Sequence, residues 1–153
     1  MLLFKASGAT YRQVVAQSVH AFRNDPSDPT PDQFVLLSKN RQDCRDLEKQ
    51  VQYVAKLLKL RSASAMELDA LFPGVGAGER WANVVELYWV RPVPRPFNLS
   101  DVRDFNYRHY DTVQGGFAQL RPSDRTSLLA HFLATNRDLL LDVVNNAERP
   151  GER

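Results

Sequence analysis

Cysteine is nearly absent from this sequence, and so is any long apolar run. The single Cys44 among 153 residues excludes a disulfide framework and a zinc site built on cysteines. No apolar segment approaches the roughly 18 residues that a membrane-spanning helix needs. The formal net charge is only +2, which by itself does not indicate nucleic-acid binding. Hydrophobic residues make up 43% of the chain, so the composition predicts a globular domain with a core of its own.

Acidic side chains are missing from the first 24 residues, although basic ones are present. Lys5, Arg12 and Arg23 are spread among apolar and hydroxyl residues in this segment. An acid-free, arginine-containing, amphipathic start is typical of mitochondrial targeting segments, and an ordinary first helix is the alternative. No long apolar stretch follows the amino terminus, so a secretory signal is not expected.

Apolar residues recur at helical spacing through much of the chain. A first helix is predicted over residues 11–23, and a capping box at residues 30–33 predicts a second, long helix that ends near Leu60. A second capping box at residues 64–67 predicts a short helix, and another helix is predicted over residues 79–89. The long helix would carry a narrow apolar seam that steps by three and four residues, as in a helix packed lengthwise on another. That seam comprises Cys44, Leu47, Val51, Val54 and Leu58.

Alternating prolines over residues 91–96 divide the chain. They sustain neither a helix nor an inner strand, so an extended strap is predicted there. Helices capped by Ser100 and Ser123 are predicted to follow, the last one interrupted at Asn136. Because no convincing alternation of apolar and polar residues occurs, the predicted fold class is all-α. It consists of a helical bundle over residues 1–90, then the strap and a helical C-terminal extension over residues 91–153.

Basic side chains outnumber acidic ones seven to three in the predicted helix over residues 39–61. One interpretation is an ordinary solvated face. The other is a docking surface for an acidic protein, because opposite charges steer and orient association.

Signatures of catalysis are weak. The sequence has no phosphate-binding glycine loop and no zinc-protease or serine-hydrolase motif. Arg103 and His109 resemble the site of HEPN-type RNases, where an arginine holds the scissile phosphate and a histidine does acid–base work. The alternative is that His109 lies on a solvated face. Phe105, Tyr107 and Tyr110 could stack on RNA bases, or form a buried or partner-facing surface.

Residues 10–12, Thr-Tyr-Arg, resemble the Leu-Tyr-Arg motif of the mitochondrial LYR proteins. The run over residues 36–60 is similar to the basic second helix of that family. Within it, residues 19–22 and 94–96 are most similar to the LYR accessory subunit on the matrix arm of respiratory complex I. The sequence departs from the pattern at Thr10, which replaces the leucine of the motif, and residues 97–153 have no counterpart.

The resemblance implies a three-helix LYR-like bundle and a non-catalytic accessory or scaffold subunit of a mitochondrial respiratory assembly, on the matrix side of the inner membrane. The implied partners are mitochondrial acyl carrier protein and other subunits, with no nucleic acid and no transmembrane segment. It implies no cofactor of its own, only the 4′-phosphopantetheine acyl chain of the carrier between the helices. The implied carrier-binding residues are Tyr11, Arg12, Lys39, Arg41 and Arg45, and the implied acyl-tunnel residues are Val15, Val51, Val54 and Leu58.

The second half of the chain is expected to anchor this subunit, with its apolar side chains meeting other chains. Burial of Phe105, Tyr110, Phe132 and Val144 within the chain itself would argue against that role. The alternative functions are the HEPN-like RNase and a cofactor-free helical adaptor protein.

Overall fold

The computed structural model describes residues 1–6, 8–22, 29–39, 50–73, 83–110 and 117–151. Helices and strands are both abundant in these residues. The strands are β1 (Leu2–Ala6), β2 (Val19–Phe22), β3 (Phe34–Lys39), β4 (Gln50–Ser62), β5 (Asn83–Asn98) and β6 (Phe117–Gln119). The α-helices are α1 (Gly8–Gln17), α2 (Ala65–Leu71), α3 (Pro122–Thr135) and α4 (Arg137–Asn146), and short 3-10 helices span Leu99–Asp101 and Tyr107–Tyr110.

The six strands form one sheet, in the order β2-β5-β4-β3-β1-β6, that curls into a half-barrel. β1 and β3 pair in parallel, and the other neighbours pair antiparallel. Both parallel strands are nearly continuous apolar runs, as expected for strands that are buried on both faces. The curl brings the edge strand β2 close to β1, since the Nε2 atom of His20 on β2 lies 3.2 Å from the carbonyl oxygen of Lys5 on β1.

Helices cover the sheet on each face and create two cores. Tyr11 and Val14 of α1 and Leu68 of α2 pack on one face, in the α1–α2 core. Leu128 of α3 and Leu139 of α4 pack on the other face, in the α3–α4 core. Alternate side chains of β1 enter different cores, because successive residues of a strand point to opposite faces.

The prediction of an all-α fold is wrong, because residues 34–39 and 50–60, which the structure describes within the expected long helix, belong to the strands β3 and β4. A β-bulge explains one step of the misleading seam, from Val51 to Val54, whereas Cys44 and Leu47 lie outside the described residues. Gln52 is an extra residue relative to β3, so Val51 and Val54 reach the same core although they are three residues apart. A further irregularity near Leu58 gives Leu57 and Leu60 the same spacing on the opposite face. In these bulged strands, residues that face the same core are therefore spaced by three, as they are in a helix.

The helix predicted over residues 79–89 is also wrong, because β5 occupies the part of it that the structure describes. Valine and aromatic residues dominate this segment, and these residues pack well in a pleated sheet. The helix expected after Ser100 is replaced by two short 3-10 helices. The first helix, predicted over residues 11–23, is confirmed only as far as Gln17, because Val19–Phe22 form β2. Two further predictions are confirmed: the Ser64 cap of α2, whose hydroxyl accepts the Glu67 N–H at 3.2 Å, and the break between α3 and α4 at Asn136.

The proline-rich residues 91–96 are extended, as predicted, but they form part of β5 rather than a free strap. The register with β4 jumps from Phe97 to Pro92, and Pro92, Pro94 and Pro96 are exposed. β5 runs through the boundary that the sequence suggested after residue 90.

Much of the apolar surface of the second half is buried within the chain. Tyr110 and Phe132 are 2% and 0% exposed in the α3–α4 core, and Phe105 is half-buried. Val144 remains 75% exposed. The expectation that these side chains mainly meet other chains is therefore wrong for the core of this half. None of the helices in the described segments is long and apolar enough to cross a membrane.

Candidate functional site

A cluster of polar and aromatic side chains lies at the carboxyl ends of the parallel strands β1 and β3. Lys5 and Ser38 are register neighbours there, and Ser38 is fully buried. In sheets with parallel strands, the loops at the carboxyl ends commonly create a ligand crevice. The segment that contains the two 3-10 helices, together with the start of α3, completes the cluster. These elements lie on the face of the sheet that carries the α3–α4 core.

Lys5 connects β1 to the second 3-10 helix. Its ammonium donates a hydrogen bond to the carbonyl oxygen of Tyr110 and lies 4.6 Å from the centre of the Tyr107 ring. Both Lys5 and Tyr107 are half-buried. A cation over an aromatic face fixes the position of the ring, and the pair brings a positive charge and a flat apolar surface together.

Asp124 holds the neighbouring backbone in place from the first turn of α3. It is 1% exposed, and its carboxylate accepts hydrogen bonds from the Tyr110 hydroxyl, from the Asn106 backbone N–H at 3.0 Å and from His109 Nδ1 at 3.2 Å. A buried carboxylate is costly unless it is hydrogen-bonded, and these three donors meet that requirement.

His109 is a bridge between Asp124 and Arg121. With Nδ1 facing the carboxylate, the hydrogen-bond network assigns the proton to Nδ1 and leaves Nε2 as an acceptor. Nε2 lies 3.1 Å from Arg121 Nη1 and 3.2 Å from Asn106 Nδ2. This contact orients the guanidinium of Arg121 at the surface. It involves only Nη1, so most of the five N–H donors take no part in it.

The hydrogen bonds around Asp124 shift two pKa values. Burial raises the pKa of Asp124, but the hydrogen bonds from Tyr110, Asn106 and His109 outweigh burial and lower it below its ordinary value of 3.8. Burial, together with the hydrogen bond to the Asp124 carboxylate, raises the pKa of Tyr110 to about 12. Asp124 is therefore an anion and Tyr110 a neutral donor at neutral pH.

Exposed charges beside the cluster are mainly positive. Arg103, Arg108 and Arg121 are exposed, whereas Asp124 is buried within the network. Asp104 is exposed and lies 3.9 Å from Arg103. The cluster therefore combines surface guanidinium groups, a half-buried ammonium and a half-buried tyrosine ring, which together suit phosphate groups next to planar bases.

Two of the residues implied to bind a carrier protein lie side by side on α1. Tyr11 is buried in the α1–α2 core, and its hydroxyl donates to the Leu37 carbonyl oxygen at 3.1 Å. Burial raises the pKa of Tyr11 above its usual value. Arg12, the next residue, is exposed. Lys39 ends β3, and Arg41 and Arg45 lie outside the described residues.

The residues implied to line an acyl tunnel are not brought together. Val15 packs against the α1–α2 core, whereas Val51 and Val54 belong to the α3–α4 core on the opposite face of the sheet. Leu58 is half-buried on β4. Val51, Val54 and Leu58 therefore lie on a strand of the sheet and not on the helix that the tunnel required.

The HEPN-like interpretation of Arg103 and His109 is wrong. Arg103 lies in a turn and its side chain is 97% exposed, while His109 belongs to a short 3-10 helix. The helices on which such a site depends are not formed by these residues. His109 instead contacts Asp124 and Arg121, two residues that the sequence argument did not select.

Lys5, Arg121 and Asp124 were missed because they are distant in sequence and meet only through the fold. The one local signal was an acidic residue in the first turn of a predicted helix, at Asp124, which sequence reasoning would assign to the helix dipole. Within the described ranges, no group of three or more histidine, cysteine or acidic side chains could hold a metal ion.

No family model matches the chain. No curated protein matches it either. Solved structures are similar in fold. The ASCH protein from Zymomonas mobilis is 17% identical, with a TM-score of 0.59, and the match covers 84% of this chain and 93% of that protein. A tyrosine-to-phenylalanine mutant of the ZmASCH protein has the same identity and TM-score, and the match covers 96% of the mutant chain. The N-terminal domain of McrB from Staphylothermus marinus is 10% identical, with a TM-score of 0.57 over 84% of this chain and 92% of that chain.

At these identities the likeness establishes a shared fold, and this fold is not that of an LYR protein. The LYR resemblance, the complex I subunit and the acyl carrier partner are therefore wrong, and the exclusion of nucleic acids that accompanied them no longer stands. The helical adaptor is likewise unsupported. The mitochondrial location and the lack of a cofactor stay predictions.

Proposed function

We propose that this chain binds single-stranded nucleic acid, with RNA the first ligand to test, at the surface around Lys5, Tyr107 and Arg121. The observation that carries the proposal is the Lys5–Tyr107 pair, in which an ammonium lies 4.6 Å from the centre of a half-buried ring. Single-strand binding sites combine positive charge that follows the phosphates with aromatic rings on which bases stack.

Arg121 and Arg108 are the residues placed to contact phosphates in this proposal. Both are exposed, and the contact of Arg121 with His109 Nε2 uses only its Nη1 group. Because a guanidinium has five N–H donors in a rigid fork, Arg121 retains donors for a phosphate. Lys5 has a different role, because its hydrogen bond to the Tyr110 carbonyl and its position over Tyr107 orient the ring.

The proposed role is binding without catalysis. His109 is the residue best placed for acid–base work, but its Nε2 atom already lies within hydrogen-bond distance of Arg121 and Asn106. A base must reach the proton that it removes, and this arrangement occupies the atom that would do so. His109 then serves to position Arg121.

Fluorescence anisotropy with a labelled single-stranded RNA, an identical DNA sequence and a duplex tests the proposal. We expect saturable binding to the single strands, which Tyr107→Ala weakens by about 1–3 kcal/mol, the value of one base–aromatic stack. Tyr107→Phe is the matched control, since it retains the ring and should retain most of the affinity.

Two results would overturn the proposal. One is the absence of saturable binding to any of the three ligands at low salt, where electrostatic binding is strongest. The other is unchanged affinity in Tyr107→Ala, provided that circular dichroism shows the wild-type fold.

A further inference from the structure

A second candidate site lies at the opposite end of the sheet. A cavity of about 940 Å³ separates the β4–β5 surface from the segment that follows α4. Its volume falls within the range of cavities that bind small molecules in proteins. The cavity is lined by Asp32, Lys56, Tyr88 and residues 147–151.

Three of the lining side chains are fixed by contacts with one another. The Tyr88 hydroxyl donates to Asp32 Oδ1 at 2.7 Å, and Arg149 Nε lies 3.6 Å from the same oxygen. Arg149 Nη2 also donates to the Leu58 carbonyl oxygen at 3.2 Å. The carboxylate of Asp32 is therefore already balanced by a hydroxyl and a guanidinium.

Unusual backbone conformations hold two sides of the cavity. Asp32 has a φ of 65°, and its N–H donates to the Leu57 carbonyl oxygen at 2.8 Å. Trp89 has a φ of 52°, which is rare for a bulky residue, and it lies where β5 has one residue more than β4. This bulge sets Tyr88 directly opposite Lys56 in the register. Strained positions of this kind persist where the surrounding structure imposes them, and they are frequent at binding sites.

Among the described residues, Lys56 is the lining cation that has no anionic partner. It is half-buried, and its ammonium lies 5.9 Å from the centre of the Tyr88 ring. Its ammonium makes no hydrogen bond or ion pair within the part of the chain that the structure describes. An ammonium in a partly desolvated position is stabilised by an anion that reaches it. Lys59 offers a contrast on the same strand, because it is more exposed and lies 3.5 Å from Glu86.

We propose that this cavity binds a small molecule through its phosphate group, held between Lys56 and Arg149. Lys56 supplies a compact positive charge, and Arg149 supplies guanidinium donors beyond those that face Asp32 and Leu58. Glu148 is the other carboxylate of the lining, but it is exposed, so solvent screens its repulsion of the ligand. The Tyr88 hydroxyl orients Asp32 and thereby Arg149.

This site is separate from the proposed nucleic-acid surface. Asp32 precedes β3, whereas Ser38 lies near the carboxyl end of the same strand. The four steps along β3 from Phe34 to Ser38 alone span about 13 Å. Ligands at the two ends of β3 would therefore contact different residues, and either site can fail without the other.

Isothermal titration calorimetry with inorganic phosphate, adenosine monophosphate and succinate tests this proposal on the full chain. We expect the two phosphate compounds to bind with one-to-one stoichiometry, and Lys56→Gln to weaken them at least about tenfold, the loss typical of one charged hydrogen bond. Lys59→Gln is the matched control and should leave the affinity unchanged. Lys56→Arg retains the positive charge and should bind the phosphate compounds nearly as tightly as the wild type. It therefore tests the role of the charge even if Lys56→Gln disturbs the fold.

Adenosine monophosphate could also reach the nucleic-acid surface, so the titration is repeated with Tyr107→Ala. Binding that is unchanged in Tyr107→Ala but weakened in Lys56→Gln places the ligand in the cavity, and binding that is weakened in Tyr107→Ala alone overturns the proposal. The proposal is overturned by the absence of saturable binding of both phosphate compounds, by equal affinity in wild type and Lys56→Gln, or by binding of succinate alone.

Discussion

The side-chain amide of Asn136 pairs with both backbone groups of Arg95. The Arg95 N–H donates to Asn136 Oδ1 at 2.9 Å, and Asn136 Nδ2 donates to the Arg95 carbonyl oxygen at 3.2 Å. Asn136 is 5% exposed and lies between α3 and α4. It therefore supplies the pairing that Arg95 lacks where the β5 register departs from β4, and it attaches the helices to the sheet.

Replacing Asn136 with alanine should destabilise the chain, because it leaves a donor and an acceptor of Arg95 without partners. We expect a loss of about 1–3 kcal/mol in the free energy of unfolding, measured by urea denaturation. Asn145→Ala is the control, because Asn145 is exposed on α4 and should change stability little. Equal stability of the two variants would show that the Arg95 pairing contributes nothing.

Acid stability should depend on Asp124. Its pKa is lower in the folded chain than its ordinary value of 3.8, so the folded state favours the ionised form. This contribution to stability is present above pH 3.8 and is lost as the pH falls through the lower pKa of the folded chain. Asp124→Asn should destabilise the chain at neutral pH and make its stability less dependent on pH in the acid range. Urea denaturation of both proteins from neutral to acidic pH measures this, and parallel curves would contradict it.

Phe132 should be the more important of two adjacent apolar residues on α3. It is fully buried, with its ring centre 5.2 Å from that of Phe97 and 5.6 Å from that of Phe34. Leu133 is 52% exposed. Phe132→Ala should cost about 3–5 kcal/mol through lost burial and the cavity that remains. Leu133→Ala, measured in the same urea experiment, should cost much less, and a reversed order would mean that α3 does not pack on the sheet through this face.

Salt dependence should distinguish Arg121 from other arginines. If Arg121 contacts a phosphate, Arg121→Gln reduces the slope of log affinity for RNA against log salt by about one. Arg137→Gln is the matched control, because Arg137 is also exposed but lies at the start of α4. A slope that falls equally in both variants would indicate diffuse attraction, and an unchanged slope in Arg121→Gln would remove this residue from the interface.

Local signals in the sequence predicted some elements well. Ser64 and Glu67 mark the start of α2, and Asn136 marks the break between α3 and α4. Helix caps depend on hydrogen bonds between residues a few positions apart, so a short stretch of sequence contains the whole interaction. For the same reason the extended conformation of residues 91–96 followed from the fixed φ of proline.

The strands were missed where long-range pairing changes the periodicity. Val51 and Val54 face one core because Gln52 bulges against β3, and that bulge exists only once β3 is paired. His109 and Asp124 were equally unpredictable as partners, since the contact requires α3 to pack beside the second 3-10 helix.

By itself, the sequence determined the composition of a folded domain, the start of α2 with its Ser64 cap, and the extended proline-rich segment, because each depends on local chemistry or on totals. The tertiary structure alone decided that apolar residues spaced by three belong to a sheet, and that Lys5 meets Tyr107 and Lys56 meets Tyr88. Strand pairing gains its free energy from partners far apart in sequence, so neither the sheet nor the sites at its two ends are encoded in any single segment.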